Sequence, residues 1–246
     1  MTAHRLTRRA ALALFPGAAL TACAPADRGA VLDAVLNAPG LGPLSAGEAA
    51  AGIREALANG VFAAIAQVGR TDGYFSDGRI HIPLPRRLAK IQSNLRPLGL
   101  SGLLDDLELQ INRGAEAAAP EAKAIFLDAI GAMTIEDALG IVNGGPTSAT
   151  QFFQRETTPA LTRLFTPPIR RALQRTGAIR SFDQLVAATS AIPLAPQIGA
   201  DAKRDLISHG VGRGLDGLFH YVGREEAAIR ANPAKRTSEL LRRVFG

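Results

Sequence analysis

The chain has 246 residues, of which 47% are hydrophobic and 20% charged, a composition that excludes an intrinsically disordered protein. Aromatic residues make up 5% and Trp is absent, so closely packed helices built on small residues are expected rather than a β-rich fold. The formal net charge of +6 falls to +3 without Arg5, Arg8 and Arg9 of the N-terminal segment, which leaves only weak attraction for polyanions such as nucleic acids.

Residues 1–22 have the organisation of an export signal. A positively charged start precedes the apolar run Ala10–Leu20, which is too short to cross a bilayer as a helix. The tetrapeptide Leu20-Thr21-Ala22-Cys23 resembles a lipobox, in which a signal peptidase cuts before a diacylated cysteine. We therefore predict a lipoprotein signal peptide over 1–22; an ordinary secretory signal that contains a cysteine is the alternative.

Cys23 is the single cysteine of the chain, so an internal disulfide is impossible and a lipid on its sulfur would protect the thiol from oxidation. The pair Arg8-Arg9, with Leu12 after it, also resembles a twin-arginine export signal, although the usual aromatic residue is missing; general secretion and twin-arginine export both stay open. Ala24 follows the cysteine where retention at the inner membrane favours Asp. By resemblance to Gram-negative sorting, this predicts the periplasmic face of the outer membrane.

Residues 23–44 are rich in Ala, Pro and Gly and are predicted to be a flexible tether between the anchor and a domain over 45–246. The domain opens with a capping box, Ser45 and Glu48, and its first helix is predicted to continue to Val68. Gly69 is a plausible stop.

A single region, 74–85, does not have a helical pattern. Asp77-Gly78 indicates a turn, and residues 79–82 alternate polar and apolar as in a short strand, which Pro83 and Pro85 would prevent from extending. An irregular segment or a small hairpin is therefore expected there.

The clearest helix is predicted from Ser101, which would cap it, to about Ala119. Its apolar stripe comprises Leu100, Leu103, Leu104, Leu107 and Ile111. The remaining pattern predicts an all-α domain of about eight to ten helices. A segment after Pro120 is predicted to bury Ile125, Phe126, Ala129 and Ile130, and a short helix to be capped by Thr134 and Asp137 and ended by Gly144-Gly145. Further helices are predicted near 147–165, 168–176, 181–191 and 201–231, with breaks at Pro167-Pro168 and at Pro193 and Pro196. A last helix is predicted to begin at Thr237.

Several segments resemble one bacterial family. They are Ile82-Pro83-Leu84-Pro85, residues 104–109 with Asn112-Arg113, residues 134–138, 216–219, Glu225-Glu226, 229–233 and 244–246. Together they identify the region from about 45 to 246 as similar to the domain of unknown function 4197, an exported and mostly helical family. The resemblance implies the fold and the export, and it brings no catalytic assignment.

Metal and nucleophilic chemistry find little support in the sequence. His81, His209 and His220 form no metal-binding motif with a neighbouring carboxylate, and structural roles are expected for all three. There is no nucleophile elbow, and Cys23 is consumed by the lipid. We predict no metal and no cofactor.

Carboxylates give the best site-like pattern. The first set lies on one face of the helix after Ser101, because its members recur every four residues, with an arginine beside them. A second set lies near the end of the chain. The first set is Glu108, Asn112, Glu116 and Arg113, and the second is Asp216, Glu225, Glu226 and Arg230. If the two helices pack together, the sets would form either an ion-pair network that joins them or a catalytic or ligand-binding cluster.

Basic side chains are grouped in three places. They are Arg86, Arg87, Lys90 and Arg96; Arg170, Arg171 and Arg175; and Lys235, Arg236, Arg242 and Arg243. On a membrane-tethered domain such a face would attract anionic head groups, and solvated surfaces are the plainer interpretation. Nucleic acid is not predicted as a partner, since no aromatic platform or recognition motif accompanies the charges.

The sequence therefore predicts a lipid-anchored protein of the cell envelope, with a binding or structural role and without catalysis. Its expected partners are the membrane, through the lipid on Cys23, and an unidentified envelope protein. Two alternatives stay open. One is an envelope enzyme that uses the carboxylate, Asn and Arg cluster; the other is a carrier of a lipid or another apolar ligand in a pocket lined by Leu, Ile and Phe.

Overall fold

The computed structural model describes residues 45–175, 184 and 202–231. The described part is all-helical, which confirms the predicted fold class. The helices are α1 (Ala46–Val68), α2 (Arg86–Leu95), α3 (Gly102–Ala118), α4 (Ala122–Ala132), α5 (Ile135–Asn143), α6 (Ser148–Arg175) and α7 (Ala202–Ala231), with 3-10 helices at Arg96–Leu98 and Ala119–Glu121. The leader 1–22, Cys23, the tether 23–44, the helix near 181–191 apart from residue 184, and the last helix from Thr237 lie outside the described residues.

Within those residues the structure contains seven α-helices and two 3-10 helices, and the predicted count of eight to ten helices is not matched. One reason is a merged helix. The break predicted at Pro167-Pro168 was wrong, because α6 runs without interruption from Ser148 to Arg175 with Pro159, Pro167 and Pro168 inside it.

Burial explains why α6 continues through its prolines. An interior proline costs a helix about 3 kcal/mol, because one backbone hydrogen bond is lost. Phe165, Ile169 and Leu173 recur every four residues around the proline pair and are fully buried. Each such side chain contributes about 1.5–3 kcal/mol on burial, so packing along this stripe offsets the local cost of the proline pair.

Helix α1 begins and ends as the sequence predicts. Ser45 accepts a hydrogen bond from the Glu48 amide and Glu48 accepts one from Ser45, and the Gly69 amide donates to the Ile65 carbonyl at the far end. By length and composition α1 is the described helix that would be able to cross a membrane, but half of that stretch is buried inside the protein. Such burial is typical of a core helix.

Helices α1, α3, α6 and α7 pack around a shared core, with α4 and α5 closing one side. Close approach depends on glycine at the centre. A Cβ on Gly114 of α3 would lie 2.5 Å from the Ile169 Cα of α6, so the two backbones touch here. Phe126, Phe153 and Phe219 bring α4, α6 and α7 together through edge-on ring contacts.

The segment between α1 and α2 is irregular, as predicted, and the possible strand at residues 79–82 is not formed. It crosses the surface of α3 and α7, where Tyr74, Ile80, Ile82 and Leu84 are buried.

One part of the apolar stripe predicted for α3 is wrong. Leu100 is 64% exposed, because it precedes α3 in the turn that closes the preceding 3-10 helix.

Candidate functional site

The polar face of α3 is directed at the irregular segment, and Glu116 is its innermost member. This carboxylate is 4% exposed. Its Oε1 accepts hydrogen bonds from the backbone amides of Tyr74 and Phe75, both at 3.1 Å. Its Oε2 accepts from Nη1 of Arg113 at 2.7 Å. Both oxygens of Glu116 are therefore used to hold protein groups.

Arg113 extends this contact to the start of the segment. Its Nη2 donates to Oδ1 of Asp72 at 2.7 Å, so one guanidinium joins two carboxylates. The hydrogen bond to Glu116 raises the pKa of Arg113. Asp72 has a φ of +64°, in the left-handed region that non-glycine residues rarely adopt. The ion pair with Arg113 fixes the side chain of this strained turn.

Asn112 lies four residues before Glu116 on the same face of α3 and is fully buried. Its Oδ1 accepts from the Ile82 amide, and its Nδ2 donates to the Ile82 carbonyl, both at 2.9 Å. Nδ2 also donates to the Glu108 carbonyl. Asn112 thus provides both hydrogen-bond partners for one backbone position of the segment.

Glu108 is the outermost member of the face and pairs with His81. Oε1 of Glu108 lies 2.5 Å from Nε2 of His81, and Oε2 accepts from Gln92 at 2.7 Å. The other ring nitrogen of His81 lies 2.7 Å from the Phe75 carbonyl. One ring nitrogen of His81 thus faces a carboxylate oxygen and the other faces a backbone carbonyl oxygen. The side chains of His81 and Glu108 are 27% and 16% exposed, so water reaches this pair.

Ser101 occupies the cap position of α3 but does not cap it with its hydroxyl. The hydroxyl instead donates to Asp105 at 2.7 Å, and this bond is the main cause that lowers the pKa of Asp105. Gln92 also donates to Asp105, which links α2 to the start of α3. The predicted capping role of Ser101 is therefore replaced by a side-chain bond within the same turn.

Two tyrosines fasten the irregular segment to α7. The Tyr74 hydroxyl is fully buried and donates to the Gly214 carbonyl at 2.6 Å, and burial raises the pKa of Tyr74 well above its usual value. The Tyr221 hydroxyl makes a short hydrogen bond to Oδ2 of Asp77. That bond is the main cause that lowers the pKa of Asp77.

The second predicted set centres on Glu226 of α7, which is 6% exposed. Its Oε1 accepts from the Ala149 amide at 3.0 Å. Its Oε2 accepts from the Thr150 amide at 2.9 Å and from the Thr150 hydroxyl at 2.7 Å. The carboxylate therefore binds the free amides at the start of α6, where a helix favours negative charge.

Arg230 completes this second set. It donates to Oε1 of Glu226 at 2.9 Å, to the Ile141 carbonyl and to the Ser148 hydroxyl. These bonds join the end of α5, the start of α6 and α7. Glu225, next to Glu226, is half-buried and lies near Gly60 of α1.

The two sets do not form one cluster. Glu108, Asn112, Arg113 and Glu116 contact the segment between α1 and α2, whereas Glu226 and Arg230 contact the junction of α5 and α6. Asp216 is exposed and belongs to neither set, since its ion pair is with Arg213 at 3.8 Å.

Sequence reasoning did not anticipate the partners of these side chains. His81, Gln92, Tyr74 and Thr150 join the sets. Half of the hydrogen bonds that the two buried glutamates accept come from backbone amides. An amide carries no side-chain signature. The one available signal was His81, which is one of the two polar residues in the alternating stretch 79–82.

The other histidines have ordinary surroundings. Nε2 of His209 lies 2.8 Å from the Pro83 carbonyl, and His220 is exposed beside Tyr221. In the part of the chain that the structure describes, no three His, Cys, Asp or Glu side chains are grouped as a metal site requires.

Three open grooves lie on the described surface, with volumes of about 400, 330 and 310 Å³. Both apolar and charged side chains line each of them. The large apolar members are Ile125 and Phe152 in the first groove, Phe62 and Ile65 in the second, and Ile207 and Val211 in the third. The charged members are Asp128, Asp137 and Glu156 in the first groove, Arg70 and Lys123 in the second, and Arg170 and Arg204 in the third.

The family described as Protein of unknown function (DUF4197) matches residues 43–246, which confirms the resemblance drawn from the motifs. The matched range contains both polar sets. No curated protein and no solved structure matches the chain.

Proposed function

Because the chain belongs to the family described as Protein of unknown function (DUF4197), whose description assigns no activity, we propose a function from its own residues. The mature protein is a lipid-anchored module on the periplasmic face of the outer membrane, with a binding or structural role and without catalysis. Its helical domain serves as a rigid body that the anchor and tether hold at the membrane.

Support for the anchor comes from the N-terminal sequence. The charged start, the short apolar run and Leu20-Thr21-Ala22-Cys23 occur in the order that lipoprotein processing requires. Cys23 is also the single cysteine, so a lipid thioether would leave no reactive thiol on the exported protein.

Support for a role without catalysis comes from one observation, the engagement of Glu116 and Glu226. Each of these buried carboxylates has both oxygens bonded to backbone amides, a hydroxyl or an arginine. A catalytic carboxylate must instead reach a proton on a substrate. These two hold separate chain segments in place, which favours a structural use over the enzyme alternative.

The anchor is tested by producing the full chain in a Gram-negative host and measuring its mass and location. The native chain is expected in the outer-membrane fraction. Its mass should exceed that of residues 23–246 by the mass of the acyl chains. Cys23→Ser should lose the added mass and leave the membrane fraction, while Ala24→Asp should keep the lipid and move to the inner membrane. A membrane-bound Cys23→Ser protein with unchanged mass would contradict the anchor.

The role without catalysis is tested on residues 24–246 by native mass spectrometry and elemental analysis. A chain without bound metal or small molecule is expected, together with crosslinks to one envelope protein when the lipidated form is treated in cells. A stoichiometric metal or a reproducible bound mass would instead favour the enzyme or carrier alternative.

A further inference from the structure

A basic surface with two exposed leucines lies on α2 and the turn that follows it. Between Gly78 and Leu104 the chain has five basic residues and no Asp or Glu. We use the name leucine-tipped basic edge for Arg86, Arg87, Lys90 and Arg96 together with Leu98 and Leu100.

The basic side chains of α2 face solvent together. Arg86, Arg87 and Lys90 are exposed and share one side of the helix, since they are spaced by one and four residues. Among the residues that the structure describes, no carboxylate forms a salt bridge with these three. Arg96 follows at the end of the helix and contacts Asp105 at 3.3 Å, with most of its side chain exposed.

The two leucines lie in the turn at the end of the helix and are exposed. Gly99 between them has a φ of +70°; its amide donates to the Arg96 carbonyl, and the Leu100 amide donates to the Leu95 carbonyl. In this type of helix end the apolar residue after the glycine usually packs back on the helix. Here Leu98 and Leu100 stay 68% and 64% exposed, more than the other exposed large hydrophobic residues of the described part, Leu127 and Ile135.

The edge combines the two features that bind a protein to an anionic bilayer: positive charge that attracts the head groups and apolar side chains that enter the interface. The helix is about 15 Å long, so its charges and the leucines at its end lie close enough to contact one membrane surface together.

We propose that the leucine-tipped basic edge docks on an anionic lipid bilayer, with Leu98 and Leu100 inserted among the head groups. The inference deepens the proposed function and rests on it for the location, because export and the anchor at Cys23 bring the domain to a membrane. It adds a second contact that fixes how the domain lies on that surface.

The test uses residues 24–246, which lack the lipid, and sedimentation with vesicles of phosphatidylethanolamine and phosphatidylglycerol. Binding is expected to these vesicles, to weaken with added salt and to be lost on phosphatidylcholine alone. Leu98→Ser with Leu100→Ser should weaken binding about tenfold. Arg86→Gln, Arg87→Gln and Lys90→Gln together should weaken it about a hundredfold, or about fivefold per charge.

Matched controls alter the same residue types elsewhere on the surface. Leu127→Ser with Ile135→Ser, and Arg163→Gln with Arg170→Gln and Arg171→Gln, should change binding by less than about twofold. Circular dichroism checks that all variants keep their helices. Equal losses in the variants and their controls, or no binding by the parent, would overturn the docking surface.

Insertion itself has a direct optical readout, because the chain contains no Trp. The fluorescence of Leu98→Trp should shift to the blue with anionic vesicles, while that of Leu127→Trp should not. The mass measurement on Cys23 keeps the two proposals separate. If the chain is lipidated but residues 24–246 bind no vesicle, only the docking of the leucine-tipped basic edge is overturned. If the chain is not lipidated but residues 24–246 bind vesicles, only the lipid anchor is overturned.

Discussion

Glu116 on α3 and Tyr74 in the irregular segment are 42 positions apart in the chain, yet a carboxylate oxygen of Glu116 accepts the Tyr74 amide hydrogen bond at 3.1 Å. The same oxygen accepts the Phe75 amide. The Tyr74–Phe75 part of the segment before α2 is therefore held by one buried carboxylate, which Arg113 contacts from the other side.

Glu116→Ala should loosen the segment around Tyr74 and Phe75 without unfolding the helices. The Tyr74 and Phe75 amides lose their acceptor, and their hydrogen exchange should become about tenfold faster. Exchange measured by NMR or mass spectrometry checks this. Glu121→Ala, which removes an exposed carboxylate from the 3-10 helix after α3, should leave these amides unchanged; faster exchange in both variants would contradict the specific role of Glu116.

Glu226→Ala should lower the free energy of unfolding by about 3 kcal/mol, because two amides, a hydroxyl and the Arg230 guanidinium lose a buried partner. Urea unfolding followed by circular dichroism measures the loss. Asp216→Ala on the same helix removes an exposed ion pair and should cost less than about 0.5 kcal/mol. Similar losses in both variants would show that Glu226 has no special role.

Two glycines of α7 should respond to alanine with opposite signs. A Cβ on Gly217 would lie 2.6 Å from the Tyr74 ring and 3.0 Å from Ile80, so Gly217→Ala should destabilise the protein by about 2 kcal/mol. Gly212 has no neighbour within 4 Å of such an atom, and Gly212→Ala should stabilise it by about 1 kcal/mol through helix propensity. Thermal unfolding of both variants checks the sign, and a Gly217→Ala protein as stable as the parent would refute the close contact.

Asp77 should contribute to the loss of stability in acid. Its pKa is lowered in the folded state, chiefly by the Tyr221 hydroxyl. The unfolded state therefore binds the proton more readily, and the contribution is complete above the ordinary carboxyl pKa of about 4 and is lost as the pH falls through the lower folded value. The urea midpoint of Asp77→Asn should thus fall less between neutral and acid pH than that of the parent.

Tyr221→Phe provides the paired variant for this measurement, because it removes the hydroxyl and keeps the ring. It should flatten the acid dependence in the same way, and the double variant should add little to either change. An acid dependence equal to that of the parent in both single variants would exclude this pair as a contributor.

The features that the sequence predicted correctly are those with a local cause. The capping boxes Ser45 with Glu48 and Thr134 with Asp137 each join residues three apart, so their geometry follows from the helix start alone. The shared face of Glu108, Asn112 and Glu116 follows in the same way from helical spacing.

The partners of that face could not be predicted, because a backbone amide gives no pattern to recognise. Asn112 binds Ile82 and Glu226 binds Thr150 over distances of 30 and 76 positions along the chain. The break expected at Pro167 was wrong for a related reason. The local cost of a proline is visible in the sequence, whereas the burial of Phe165 and Ile169 that offsets it is set by other helices.

Asn112 has a further consequence for the architecture. A strand at the centre of a sheet has its N–H and C=O groups bound by the backbones beside it, and Ile82 receives both bonds from the amide of one side chain. A helix thereby substitutes for the missing neighbouring strand at a single position. A stretch with strand-like alternation can therefore pack among helices with the hydrogen bonds of Ile82 satisfied and without a second strand beside it.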